Sequence, residues 1–75
     1  MVSRAEEAYL DKVAKRLAEL RRKNGLTQEQ LADNSGLDRV AIANIETGVR
    51  RPTVTTIYRL AKGMNAKVED FFKDL

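Results

Sequence analysis

Four side chains in one short segment have the chemistry and spacing to contact the base edges of a nucleic acid. They are Arg39, Val40, Ala43 and Asn44. The guanidinium of Arg39 can bond guanine O6 and N7 together, and Asn44 can pair with adenine or hold a phosphate. Val40 and Ala43 can meet a thymine methyl group, although folding of Val40 into the core remains an open alternative. Helical periodicity places all four on one face, which predicts a base-reading surface.

A second group of side chains suits the sugar–phosphate backbone rather than the bases. Gln28 begins a predicted helix whose first N–H groups favour a phosphate. Arg50 and Arg51 precede Pro52 in a predicted loop, where they can grip the backbone or enter a minor groove. Thr47, at the end of the base-reading helix, is also predicted to contact the sugar–phosphate backbone. Charge alone does not establish a nucleic-acid partner, because a net charge of +3 is only modestly basic.

Two short helices over about residues 28–47 are predicted to position these side chains. Thr27 and Gln30 form a capping-box pattern that begins the first helix. Gly36 permits the positive-φ turn that a sharp corner between helices needs, and Asp38 can cap the second helix. Two helices joined in this way, the second exposing Arg39 early, suit insertion into a DNA major groove.

The remaining segments also show helical periodicity, and none has a convincing strand pattern. A long first helix is predicted from Ser3 to Asn24-Gly25. Thr53 caps a fourth helix with an apolar stripe of Val54, Ile57, Leu60, Ala61 and Met64, and Asn65 ends it. A short fifth helix follows over residues 68–75. The prediction is an all-α fold of five helices in one domain, residues 1–75.

Composition excludes several function classes. The chain has neither cysteine nor histidine, so a zinc site, a catalytic thiol and the usual general base are not expected. We predict a protein that is not an enzyme, with no metal, cofactor or small-molecule ligand. No apolar run approaches the ~20 residues of a membrane span, and the first residues do not form a signal-peptide pattern. We therefore expect a cytoplasmic protein that has no membrane partner.

From about residue 21 to residue 72 the chain resembles the lambda-repressor-like helix-turn-helix family. The matching segments are Leu26-Thr-Gln-Glu-Gln-Leu-Ala, Gly36-Leu37, Ile42-Ala-Asn-Ile-Glu-Thr-Gly48, Pro52, Leu60-Ala-Lys-Gly-Met and Phe71-Phe72. Within that family, Gly36-Leu-Asp-Arg39 and Ile45-Glu-Thr-Gly-Val-Arg50 are similar to restriction–modification controller proteins. This resemblance implies a homodimeric transcriptional regulator that binds a pseudo-palindromic operator and controls its own gene and an endonuclease gene.

The same resemblance implies roles for side chains outside the reading face. A structural ion pair is expected between Arg21 and Glu46. A two-fold dimer is expected through the tail and the end of the fourth helix, with Met64, Val68, Phe71, Phe72 and Leu75 as interface residues. A domain this small cannot easily bury both phenylalanines, so one ring is expected to cover the core and the other a partner. We assign Phe71 to the core and Phe72 to the partner, with the reverse assignment, or both rings covering their own protomer, left open. A contact with RNA polymerase is left open.

Departures from the controller pattern limit what the resemblance transfers. Val40-Ala41 and Ala43 stand where those proteins usually carry polar, aromatic or hydroxyl side chains, so the operator sequence cannot be carried over. Gly63 replaces a common alanine and costs the fourth helix up to about 1 kcal/mol in propensity. A phage-type repressor, or an antitoxin-like regulator whose main partner is a protein, is the alternative interpretation.

Overall fold

The computed structural model describes residues 3–75, and all the regular secondary structure in that range is helical. It contains four α-helices, α1 (Arg4–Lys23), α2 (Gln28–Ser35), α3 (Arg39–Glu46) and α4 (Val54–Met64), followed by a 3₁₀ turn over Val68–Phe71. No helix among the described residues is long and apolar enough to cross a membrane. Met1 and Val2, which the predicted domain includes, lie outside the described residues.

Each α-helix begins at the side chain that the sequence predicted as its N-cap. Ser3, Thr27, Asp38 and Thr53 each accept a hydrogen bond from the backbone N–H three residues later. At Thr27 the predicted capping box is complete, because the side chain of Gln30 also accepts a hydrogen bond from the Thr27 N–H at 2.9 Å. These bonds satisfy N–H groups that have no partner inside the helix, which fixes where each helix starts.

Left-handed residues end two of the helices and set the direction of the chain that follows. Gly36, with φ of 76°, ends α2 and turns the chain into α3. Asn65, with φ of 58°, ends α4 as predicted, and the N–H of Ala66 reaches back to the carbonyl of Ala61 at 2.8 Å. That pairing is a Schellman motif, which satisfies carbonyls that the helix end leaves without partners.

One apolar cluster joins all the helices. Its fully buried side chains include Leu17 from α1, Leu31 from α2, Ile42 and Ile45 from α3, and Leu60 from α4. The α4 stripe is only partly correct, since Val54 is 82% exposed. Val54 is the first residue of α4, and the packing orientation of the helix turns it to solvent.

Gly63 lies where α4 packs against α2. A Cβ at this position would come within 3.1 Å of both Leu31 Cδ1 and Ser35 Cβ. Asn34 of α2 also donates to the carbonyl of Gly63 at 3.1 Å. Glycine is unfavourable within a helix, but at this position a larger side chain would obstruct the packing of α2 against α4.

The tail does not form the predicted fifth α-helix over residues 68–75. It makes a single 3₁₀ turn, Val68–Phe71, and Asp74 has a positive φ of 59°, which is incompatible with a continuing helix. Lys67 supplies no side-chain cap, and its N–H donates to the Asp70 carboxylate at 3.0 Å. The turn is tied to α1 by Arg16, whose Nη1 donates to the Asp70 carbonyl at 2.7 Å.

Two residues predicted for the dimer interface are instead buried in the protomer. Met64 is 2% exposed and Phe71 is 1% exposed, and both belong to the central cluster. The prediction that Met64 faces a partner is therefore wrong, because the α4 stripe that contains it packs inward. Phe71 likewise presents no surface, so its inclusion among the interface residues is also wrong, whereas its assignment to the core agrees with its burial.

Candidate nucleic-acid interface

Helix α3 has one buried side and one accessible side. Ala41, Ile42 and Ile45 pack into the core, which leaves the predicted reading residues on the opposite side. Arg39 is exposed there, and Val40 is 59% exposed. The sequence left open whether Val40 enters the core, and its exposure shows that it lies at the surface.

Ala43 and Asn44 continue this surface by one helical turn and are half-buried. Their spacing from Arg39 and Val40 puts all four side chains on one face of α3. We call the surface that they form the reading face, after its predicted role. It presents one guanidinium, one carboxamide and two small apolar groups. The face offers a charged bidentate donor, a donor–acceptor amide and methyl surface, which are the groups that distinguish base pairs in a major groove.

The carboxylate of Glu46, at the end of α3, is held by two neighbouring side chains. Arg21 approaches it with two bonds, Nε to Oε2 at 2.7 Å and Nη2 to Oε1 at 3.0 Å. Gln28 Nε2 donates to the same Oε1 at 3.2 Å, and Arg21 Nη1 donates to the Leu26 carbonyl at 2.9 Å. The structure thus brings together the residues expected to form an ion pair and adds Gln28 to them.

This cluster is largely shielded from water, since the side chains of Arg21 and Glu46 are 10% and 6% exposed. Hydrogen bonding to Glu46 raises the pKa of Arg21 despite the opposing effect of burial, so the guanidinium remains charged. The cluster links the end of α1, the start of α2 and the end of α3. It also compensates a carboxylate that would otherwise repel a polyanion beside the reading face.

Gln28 therefore has a second interaction besides the predicted phosphate contact. Its side-chain amide is engaged with Glu46, whereas its backbone lies in the first turn of α2. The first N–H groups of a helix have no partner inside it and point outward along the axis. A phosphate at this position would be bound by these backbone donors, with the Gln28 side chain able to contribute one further N–H.

The loop between α3 and α4 carries the two predicted arginine contacts. Arg50 and Arg51 are both exposed, and the Arg50 N–H donates to the carbonyl of Asn44 at 3.0 Å. This bond folds the loop back against the end of α3. Arg51 Nη1 lies 3.5 Å from Asp11 Oδ1 of α1, an ion pair that the sequence did not predict because 40 positions separate its members.

Thr47 is less available for a phosphate than the sequence suggested. Its hydroxyl lies 3.1 Å from the Ala43 carbonyl and 3.3 Å from the Asn44 carbonyl, both of which it can serve as a donor. A hydroxyl has one hydrogen to donate. A phosphate contact from this side chain therefore requires the hydroxyl to rotate away from α3.

The tail leaves part of the predicted dimer surface exposed. Phe72 is 38% exposed and Val68 is 36% exposed, while Leu75 is half-buried. The two phenylalanine rings are tilted at 44° with centroids 6.4 Å apart, so Phe72 covers the edge of the buried Phe71. Tyr58, one turn after Val54 on α4, is another exposed large side chain (54%) that the sequence analysis did not single out.

Within residues 3–75 no group of three or more carboxylates is arranged to hold a metal ion. Three polar features adjoin α3: the reading face, the Arg21–Glu46–Gln28 cluster, and the arginine loop, which is the segment between α3 and α4 that contains Arg50 and Arg51.

Comparisons with known proteins identify similar chains. The helix-turn-helix family matches residues 17–71. The crystal structure of the restriction–modification controller protein C.AhdI from Aeromonas hydrophila has a TM-score of 0.83 at 40% identity, covering 87% of this chain and 98% of that one. Control protein C.SmaI of Serratia marcescens is 41% identical over 56 residues, 75% of this chain and 67% of C.SmaI. An uncharacterised HTH-type transcriptional regulator of Archaeoglobus fulgidus is 40% identical over 57 residues, 76% of this chain and 81% of the relative.

Proposed function

Because this chain belongs to the helix-turn-helix family, we propose that it is a sequence-specific transcriptional regulator of the restriction–modification controller type. In this proposal it acts as a homodimer on a pseudo-palindromic operator. The observation that carries the proposal is the division of α3 into a buried side and the exposed reading face. Its relatives are transcriptional regulators and controller proteins rather than enzymes, which supports a non-enzymatic function.

Backbone contacts would position the domain before the bases are read. The first turn of α2, with Gln28, would bind one phosphate, and Arg50 and Arg51 would bind the backbone or an adjacent minor groove. Such contacts fix the register on a duplex but carry no sequence information. They also make affinity depend steeply on salt, since each neutralised phosphate releases counterions.

Sequence would be read by the reading face. Arg39 would bond guanine O6 and N7, and Asn44 would pair with adenine or support a phosphate. Val40 and Ala43 would pack on thymine methyl groups. Because two of the four positions are apolar, we expect the operator to be selected through few hydrogen bonds and by methyl contacts.

A two-fold dimer would place two reading faces on one operator. We assign the contact to the tail, with Phe72 and Val68 as its exposed apolar groups and Leu75 beside them. Each protomer would take one half-site, and the half-site centres would lie about 34 Å apart, one helical turn of DNA. The protein would work in the cytoplasm, where its DNA is, and its contact with RNA polymerase would depend on where the operator lies.

Selection of bound duplexes from a random library tests the proposal. We expect enrichment of an inverted repeat and, on titration by fluorescence anisotropy, a steeply negative slope of log affinity against log salt. A scrambled duplex of the same composition is the control and should bind more weakly. Equal affinity for both duplexes, or a slope near zero, would remove sequence-specific DNA binding as the main function.

The controller assignment has a separate test. The selected operator should occur upstream of the regulator's own gene, with methyltransferase and endonuclease genes beside it. An operator of the expected form in front of unrelated genes would leave a DNA-binding regulator but exclude the controller role. Stable capture of a toxin together with loss of DNA selectivity would favour the antitoxin alternative.

A further inference from the structure

We propose that Asp11 is a positioning residue that competes with DNA phosphate for Arg51 and thereby sets the affinity of the arginine loop. The inference rests on the proposed function, because it concerns one of the side chains assigned to the DNA backbone. Asp11 lies on α1, before residue 17, where the family match begins. Arg51 lies within the matched residues 17–71, so the ion pair joins a residue outside the family match to one inside it.

The geometry places Asp11 directly against the loop rather than merely near it. Its Oδ1 is 3.5 Å from Arg51 Nη1. The same oxygen would lie 3.3 Å from a Cβ built on Gly48, and Arg51 Nη1 would lie 3.7 Å from it. The ion pair thus forms over the backbone of Gly48, whose φ of 81° begins the loop.

The pair is accessible enough to exchange partners. The side chains of Arg51 and Asp11 are 40% and 60% exposed, and exposed ion pairs contribute little free energy because water screens them. A phosphate oxygen offers the guanidinium a charge-assisted bond of the same kind. Asp11 consequently holds Arg51 in the absence of DNA without preventing its transfer to a phosphate.

This competition has a defined effect on binding. Taking Arg51 to a phosphate means breaking its bond to Asp11 and leaving a carboxylate close to the DNA backbone. Both effects lower affinity for every duplex, whatever its sequence, because neither involves a base edge. Asp11 therefore reduces general DNA affinity without changing which operator is preferred.

Replacement of Asp11 by the isosteric Asn tests the proposal. Asp11→Asn should tighten binding to both the selected operator and a scrambled duplex by roughly two- to fivefold, the range expected for an exposed ion pair. The ratio of the two affinities should stay constant. Glu19→Gln is the matched control, because it makes the same charge change on the same helix about 12 Å further along and should have a smaller effect.

The double variant separates a direct contact from long-range charge. In the Arg51→Gln background, Asp11→Asn should give no greater change than Glu19→Gln. An unchanged affinity for Asp11→Asn, a weaker one, or the same gain with and without Arg51 would overturn the inference. If the parent protein binds no duplex, the proposed function itself fails. If the parent binds its operator but Asp11→Asn leaves the affinity unchanged, only the proposed role of Asp11 is refuted.

Discussion

The carboxylate of Glu46 is bound by Arg21 through two hydrogen bonds of 2.7 and 3.0 Å, although α1 and α3 are separated in sequence by α2. The pair is nearly excluded from water, and Gln28 from the start of α2 completes it. Three helices therefore meet at one charged cluster beside the reading face. Such a cluster orients α3 only while both charges are present, since either one alone would be buried without compensation.

Removal of one partner should accordingly be costly. We expect Arg21→Met to lower the free energy of unfolding by about 2–4 kcal/mol, measured by urea denaturation, because it leaves the Glu46 carboxylate without its cation. The double variant Arg21→Met/Glu46→Met should recover part of that loss. Glu19→Gln is the control, because the exposed Glu19 carboxylate makes only a long, 4.0 Å contact with the partly buried Arg16; it should change stability by less than about 0.5 kcal/mol. A loss no greater than this for Arg21→Met would contradict the structural role.

Sequence reading should depend on Arg39 more than on any other arginine. Arg39→Ala is expected to cost about 1–3 kcal/mol of operator binding and to relax preference at one base position in each half-site. Arg59→Ala, an exposed arginine on α4, provides a matched loss of charge away from the reading face. Anisotropy titrations against single-base operator variants measure both effects. If Arg39→Ala binds its operator as tightly as the parent, the placement of the reading face is wrong.

The loop between α3 and α4 should contribute equally to the affinity for every DNA sequence. Arg50→Ala is expected to weaken binding to operator and scrambled duplexes by similar factors, because its contact is to phosphate. The log–log salt slope should become shallower by about 0.9 for the lost contact. A change in base preference without a change in slope would show that Arg50 reads bases instead.

Substitutions of Phe72 and of Phe71 should have different effects, the first on dimerisation and the second on the stability of the protomer. Phe72→Glu, at a ring that is 38% exposed, should shift the protein toward monomer in sedimentation equilibrium while its helical circular dichroism is retained. Val49→Glu, the same kind of change at an exposed loop position, should leave the association state unaltered. A parent that sediments as a monomer at high micromolar concentration, yet binds one half-site tightly, would exclude the dimer.

Phe71→Ala should instead reduce stability. Loss of a buried phenylalanine costs about 3–5 kcal/mol, and Phe71 is 1% exposed within the central cluster. Its melting temperature should fall well below that of the Phe72 variant. Equal melting temperatures for the two variants would mean that the tail contributes little to the protomer core.

Gly63 offers a test of packing against helix propensity. Alanine is favoured over glycine in a helix by about 1 kcal/mol, but here its Cβ would lie 3.1 Å from Leu31 Cδ1 and Ser35 Cβ. Overpacking of this kind costs about 1–3 kcal/mol, so Gly63→Ala should lower stability by about 1 kcal/mol. Thr55→Ala, an exposed change on the same helix, is the control and should be neutral or slightly stabilising. A higher melting temperature for Gly63→Ala would show that α2 and α4 separate easily.

The helix starts could be predicted because they depend on local hydrogen bonds, whereas the conformation of the tail depends on tertiary packing. Ser3, Thr27, Asp38 and Thr53 bond to N–H groups three residues away, so their role can be read from the neighbouring sequence. The apolar spacing after Asn65 suggested another helix. Burial of Phe71 and the bond from Arg16 to the Asp70 carbonyl hold it as a 3₁₀ turn, and neither contact is local.

The same distinction applies to the candidate site. The exposed and buried sides of α3 follow from helical periodicity, and the comparisons confirmed the resemblance to helix-turn-helix regulators and controller proteins. The contacts of Glu46 with Gln28 and of Asp11 with Arg51 join different helices or loops. No periodicity encodes such pairs, because they depend on how the elements are packed.

The separation of the two sides of α3 also has an evolutionary consequence. Ala41, Ile42 and Ile45 hold the helix in the core, while Arg39 and Val40 are turned away from it. Exposed positions of this kind usually tolerate substitution with small changes in stability. If these outward side chains select the operator, as proposed, their exchange alone would change the preferred DNA sequence while the buried side keeps the fold unchanged.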